Sequence, residues 1–215
     1  MKGSTHLAIG AAIGAAAALY YPFQLSHGAV YLSVAAFSAL AADLDGPGML
    51  SGKLDKLSRP IRGFALWAGV VLVLANAYGY AFEDWFSFPF SAVAVVLLLL
   101  GLVASQGTVR NALVSLVGLG LLYAGARTDQ AWLMGLGVFV AWVPWLKHRG
   151  MTHTIWALLL WGTIGRGLET ELGIPGVTAT AVAGYASHLL ADTLTPNGVK
   201  WLYPLYKKSF KFVSR

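Results

Sequence analysis

Apolar runs recur from Leu7 to Leu194 with only short polar breaks between them, and this recurrence restricts the chain to folds in which whole helices are surrounded by apolar material. Eight runs can be drawn: Leu7 to Tyr21, Ala29 to Ala42, Phe64 to Phe82, Phe88 to Ala104, Asn111 to Ala126, Ala131 to Leu146, Thr152 to Gly165 and Val177 to Leu194. Of the 215 residues 57% are hydrophobic and only 11% are charged, where soluble domains carry about 25%. The chain is therefore expected to be all-α, a polytopic membrane helical bundle of about eight transmembrane or membrane-embedded helices. No polar linker separates the runs, so residues 1–215 read as a single domain. Several runs fall below the ~20 residues that cross a bilayer comfortably. The first, second and seventh are the shortest and adjoin the polar clusters, which suggests a local cavity at their ends.

The basic residues orient the bundle. With the N-terminus in the cytoplasm, Lys2, Lys53, Lys56, Arg59, Arg62, Arg110, Lys147, Arg149, Lys200, Lys207, Lys208, Lys211 and Arg215 lie inside, 13 of the 15 basic residues. Arg127 and Arg166 lie outside, with Glu83, Asp84, Asp129, Glu169 and Glu171. Both termini are then cytoplasmic, in a multi-pass protein of the inner membrane. The Ala-rich run after Lys2 imitates a secretory signal, but Gly10 and Gly14 form a G-x-x-x-G pair better explained by close packing of a retained helix. At the other end, residues 199–215 form a basic aromatic tail, expected to lie on the inner leaflet.

Cysteine is absent, so a metal would have to be held by imidazole and carboxylate. The net charge of +6 sits in short loops and in the tail, which fits anionic inner-leaflet lipid rather than nucleic acid.

Against this apolar background the ionisable residues stand out. His6, Asp43, Asp45, His148, His153, His188 and Asp192 all fall at the cytoplasmic ends of helices, although the orientation rule used none of them. Ionisable groups at membrane depth are costly and mark function by default. His188 and Asp192 are four apart and share a helical face. An interhelical His–Asp hydrogen bond is the plainer use of such a pair, and only the rest of the set points to an ion. Asp43 and Asp45 follow the second helix, where the macrodipole disfavours carboxylates and a cation would resolve the conflict; pairing with Lys53 or Lys56 is the alternative. Two residues apart, they are expected to differ, one a ligand and one a bridging or supporting group. Gly150 allows a tight reversal between His148 and His153, and Arg149 between them suits an anionic oxygen. His27 has no polar company and reads as a surface histidine.

A His near the N-terminus, D-x-D after the second helix, H-R-G-x-T-H, and G-Y-x-S-H-L-L-x-D-x-x-T-x-x-G from Gly184 to Gly198, followed by Pro204, resemble the YdjM-type family of membrane-bound metal-dependent hydrolases. The order of motifs covers most of the chain. Ala42 stands before D-x-D where proline is common, and Thr154 follows His153 where serine is usual; neither change removes a ligand. The family is distantly similar to zinc-dependent phospholipase C and the single-strand nucleases, which implies a phosphoester substrate.

The expected function is a membrane-embedded metal-dependent hydrolase of a lipid phosphate or phospholipid, working at the cytoplasmic leaflet through metal-activated water. The seven candidate ligands are His6, Asp43, Asp45, His148, His153, His188 and Asp192, enough for two or more ions. Zinc is the first expectation, with manganese or iron left open. Arg149 and Thr152 are the candidates for the substrate phosphate, and Asp45, Arg149 and His153 for catalysis. A proton- or divalent-cation-coupled transporter is the main rival, and a non-catalytic membrane scaffold the second.

Overall fold

The computed structural model describes residues 1–22, 24–83, 85 and 87–212. Asp84 and Arg215, which enter the orientation argument above, lie outside the described residues. Eight α-helices follow one another with no strand among the described residues: α1 (Gly3–Tyr20), α2 (Leu25–Ala41), α3 (Gly52–Phe82), α4 (Phe88–Leu102), α5 (Gln106–Thr128), α6 (Ala131–Trp142), α7 (Ile155–Leu172) and α8 (Val177–Thr193). Short 3-10 turns follow α2 (Ala42–Asp45) and α6 (Val143–Trp145), and a third (Met151–His153) precedes α7. Four helices are long and apolar enough to cross a membrane: α1, α2 with its 3-10 extension, α3 and α5. The all-α membrane architecture is therefore the one the apolar runs predict.

Helix ends follow local chemistry. Pro22 forbids α1 to continue past Tyr21. Thr154 caps α7, its hydroxyl accepting from the Ala157 N–H at 3.3 Å, and Gly173 ends that helix at φ 63°. Glu169 on α7 accepts the Thr178 N–H at 2.7 Å and so covers the start of α8, where the helix dipole favours a carboxylate. Two helices outrun their apolar stretches. α3 begins at Gly52 rather than near Phe64, carries Lys53, Lys56, Arg59 and Arg62 on its first turns and contains Pro60; α7 continues from Gly165 through Arg166, Glu169 and Glu171. An apolar run marks what must avoid water, whereas helical backbone continues wherever its polar side chains are solvated.

The chain packs as two compact units. One is Gly52–Leu113, in which α3 and α4 pair: Gly69 and Gly101 let the two backbones approach, and Arg62 donates to the Gly101 carbonyl at 3.3 Å. The other is Met1–Ser51 with the chain from Val114 onward, and it contains α1, α2, α6, α7 and α8. Within it α2 lies against both α1 and α8. A Cβ on Gly14 would stand 2.6 Å from the Leu32 Cα, and one on Gly184 2.7 Å from the Ala35 carbonyl oxygen, so both contacts require glycine. Gly14→Leu is expected to push α1 off α2, at a cost of ~1–3 kcal/mol. A lowered melting temperature of the detergent-solubilised protein would show it, and an unchanged one would mean that α1 packs elsewhere.

The tail does not form a helix. Val199 and Phe210 pair as an antiparallel bridge through hydrogen bonds of 3.0 and 2.8 Å, the Phe212 N–H reaches the Thr193 carbonyl, and Trp201 Nε1 donates to Thr193 Oγ1 at 3.0 Å. Leu205, Tyr206, Phe210 and Phe212 remain exposed.

Candidate metal centre

Close packing of α1, α2 and α8 brings His6, the end of α2, and His188 with Asp192 to one end of the larger unit. His6, His153, His188 and Asp192 are all at most 2% exposed. The loop from His148 to His153 closes over them and is held from two sides. Tyr185 on α8 donates its hydroxyl to the Thr152 carbonyl at 2.6 Å. Asp45 accepts three hydrogen bonds from the loop: His148 Nδ1 at 2.7 Å, the Arg149 N–H at 3.1 Å and Thr152 Oγ1 at 2.5 Å. Arg149 adopts φ 57°, a left-handed conformation uncommon for a long side chain. The Asp45 contact to its N–H and the Asp192 contact to its guanidinium, 2.9 Å, hold it there.

Hydrogen-bond donors then fix which histidine nitrogens are free. His188 Nδ1 lies 2.7 Å from the Ala39 carbonyl, which only accepts, so Nδ1 carries a proton and, in the neutral ring, Nε2 is the nitrogen with the free lone pair. Thr152 has one hydroxyl proton and spends it on the Asp45 carboxylate. Its oxygen must therefore accept from His153 Nδ1, 2.9 Å away, so that in the neutral ring Nε2 again has the free lone pair. The two Nε2 atoms meet at 3.3 Å in hydrogen-bond geometry. Two lone pairs cannot face each other unless a proton or a cation lies between them. Asp43 Oδ1 stands 3.5 Å from His188 Nε2 and 3.8 Å from His153 Nε2, and Asp192 Oδ2 is 3.7 Å from His153 Nε2.

His153, His188 and Asp192 have the spacing to hold a metal ion, as do His6, Asp43 and His188. In a tetrahedral zinc site with Zn–N bonds of ~2.0–2.1 Å, neighbouring nitrogens stand about 3.3–3.4 Å apart, which is the observed Nε2 spacing. Both outer nitrogens donate to fixed acceptors, the arrangement that orients metal-bound imidazoles. His6 supplies a further sign: neither ring nitrogen has a hydrogen-bond partner although both are buried, and its ring stacks on His188 at 3.8 Å. His6 Nε2 lies 3.4 Å from Asp192 Oδ1. Three overlapping sets have the spacing to hold an ion: His6, Asp43 and His188; His153, His188 and Asp192; and Asp43, Asp45 and His148. His188 and Asp43 each belong to two of them.

The two carboxylates of D-x-D are placed differently. Asp43 has one oxygen at the histidine pair and remains partly exposed, whereas both Asp45 oxygens are occupied by the loop. His148 is half-exposed, and the Asp45 carboxylate bonded to its Nδ1 holds the imidazole above its ordinary pKa. A cleft of about 470 Å³ opens over the cluster, bordered by Asp43, Pro47, Met49, His148, Arg149 and Asp192. Arg149 also reaches Thr195 Oγ1 and the Gly198 carbonyl, at 3.5 and 3.4 Å, and the Met1 amino group is 2.6 Å from Asp192 Oδ1. His27, near the start of α2, stands at the opposite end of that helix from Asp43. Sequence reasoning missed the Ala39 carbonyl, the Tyr185 hydroxyl and the Thr152 relay; Tyr185 and Thr152 carried a signal, in the blocks beginning at Gly184 and His148, and Ala39 carried none.

A family model described as YdjM inner membrane protein matches residues 1–214, and the chain belongs to this family. No curated protein and no solved structure matches it.

Proposed function

We propose that this YdjM-family inner membrane protein is a metal-dependent hydrolase of a lipid phosphate or phospholipid, with its site at the cytoplasmic leaflet. The observation that carries the reading is the approach of His153 Nε2 and His188 Nε2 to 3.3 Å, flanked by Asp43 and Asp192 beside a cleft. A divalent metal, zinc by the donor set, supplies Lewis-acid polarisation of a phosphoryl oxygen and a nucleophile available at neutral pH. His153, His188 and Asp192 would hold it, or His6, Asp43 and His188. Arg149 binds the phosphate through the part of its guanidinium not committed to Asp192, and Thr152 fixes the His153 ring beside that phosphate. Asp45 acts as a positioning residue for His148, which borders the cleft and passes a proton to the leaving oxygen.

A transporter would need ionisable groups continuing along the helices. In the larger unit, the buried polar side chains further along α2 and α8 are the hydroxyls of Ser38, Tyr31, Thr180 and Tyr185, with no carboxylate or imidazole among them, which favours the hydrolase. The test is release of phosphate, or of a phosphorylated headgroup, by purified protein from phosphatidate and from phospholipids in mixed micelles, with and without a chelator. The reading predicts turnover of at least one lipid that chelation abolishes and zinc restores. Chelator-insensitive release, or none from any phosphorylated lipid, would contradict it.

A further inference from the structure

We propose that the groove between α6 and α7 holds one acyl chain of a lipid whose phosphate lies in the cleft beside Asp43 and Arg149. The identity of the head rests on the hydrolase reading; the place of the tail does not. The groove has a volume of about 330 Å³, within the ~300–1,000 Å³ usual for ligand sites. Its walls are apolar, from Val138, Phe139, Trp142, Met151, Trp156 and Leu160. Its floor is low because Gly135 and Ala157 present little or no side chain there, and a Cβ on Gly135 would meet only Ile164, at 3.4 Å. Val138, Trp142, Trp156 and Leu160 are exposed along the rim, so the groove opens sideways, as entry from a bilayer requires. Tryptophan rings at such a rim suit the boundary between chains and headgroups.

The loop that the groove and the polar cleft share identifies the occupant. Leu146, Met151 and Thr152 line the groove, while His148 and Arg149 of the same loop border the cleft. Thr152, which lines the groove, also binds Asp45 and His153 through its hydroxyl. A molecule filling both spaces has an apolar chain and an anionic head joined across one short loop. The other apolar depressions of this unit do not offer that. One, of about 60 Å³ beside Trp161, is too small, and another, between Tyr20 and Ala183, lies toward the far end of α1.

The experiment uses the full chain in phosphatidylcholine vesicles containing a phosphatidate with a diazirine midway along one acyl chain. Photolabelling is expected to concentrate in peptides of α6 and α7 and to be competed by unlabelled phosphatidate but not by glycerol 3-phosphate. Gly135→Leu, which fills the floor, and Leu160→Trp, which narrows the open side and leaves the packed core alone, should each reduce that labelling about tenfold. Val71→Trp, on an exposed position of α3, should leave it unchanged. Labelling spread evenly over the lipid-facing helices, a lack of competition by phosphatidate, or wild-type labelling in both groove variants would overturn the proposal. Phosphate release measured in the same vesicles separates the two readings. Groove labelling with no release from phosphatidate or from any phospholipid put in its place contradicts the hydrolase alone, and release without groove labelling contradicts the acyl site alone.

Discussion

Replacing His188 with asparagine is expected to strip the protein of bound metal and to reduce phosphate release from its lipid substrate to background. Asparagine is the informative choice because its amide N–H can still donate to the Ala39 carbonyl, which His188 Nδ1 now occupies at 2.7 Å. Alanine would instead leave that buried carbonyl without a partner, at a cost of ~1–3 kcal/mol, and confuse loss of metal with loss of packing. Asp192→Asn should act in the same direction, since it removes the charge that faces His6, His153 and Arg149. Elemental analysis and phosphate release, each measured on protein that still elutes as a folded species in detergent, check both variants. Wild-type metal content in the two would make the pair structural.

Arg149→Lys should leave metal content near wild type and lower kcat/KM about 10- to 150-fold, the value of one charge-assisted hydrogen bond of ~1.5–3 kcal/mol. Lysine keeps a cation beside Asp192 but cannot grip a carboxylate on one edge and a phosphate on another, as a planar guanidinium can. Kinetics on the best phosphorylated lipid decide this. Unchanged turnover would assign Arg149 to holding the loop, through Asp192, Thr195 and Gly198, and the phosphate would have to be bound elsewhere.

Much of the architecture was legible because a helix in lipid must be apolar around its whole circumference, and such runs are visible without knowing what they pack against. The G-x-x-x-G pair of α1 was legible for a related reason, since Gly14 meets backbone atoms of α2 that admit no side chain. The starts and ends of α3 and α7 were not, because Lys53 to Arg62 and Arg166 to Leu172 are helical without being apolar. The tail was hidden differently: the Val199–Phe210 bridge depends on a reversal at Gly198, φ 63°, and on contacts with Thr193 that no local pattern records.

For the site, the residue types and their shared end of the bundle could be read, but their relations could not. Sequence spacing places His188 and Asp192 on one face; it does not say that a backbone carbonyl on α2 fixes the His188 proton, or that Thr152 passes the Asp45 constraint to His153. The difference between Asp43 and Asp45 likewise depends on the loop that only Asp45 binds. These are contacts across more than 100 residues of chain.

The central claim is that His153 and His188 face each other because a cation belongs between them. Elemental analysis of wild-type protein, purified without chelator from metal-replete cells and normalised to chain concentration, tests it most directly. The structure predicts at least one equivalent of zinc, or of manganese or iron in its place, that survives dialysis and is lost in His188→Asn. Wild-type protein that is folded and carries none of these metals in stoichiometric amount would contradict it, and would leave a shared proton between the two rings as the reason for their approach.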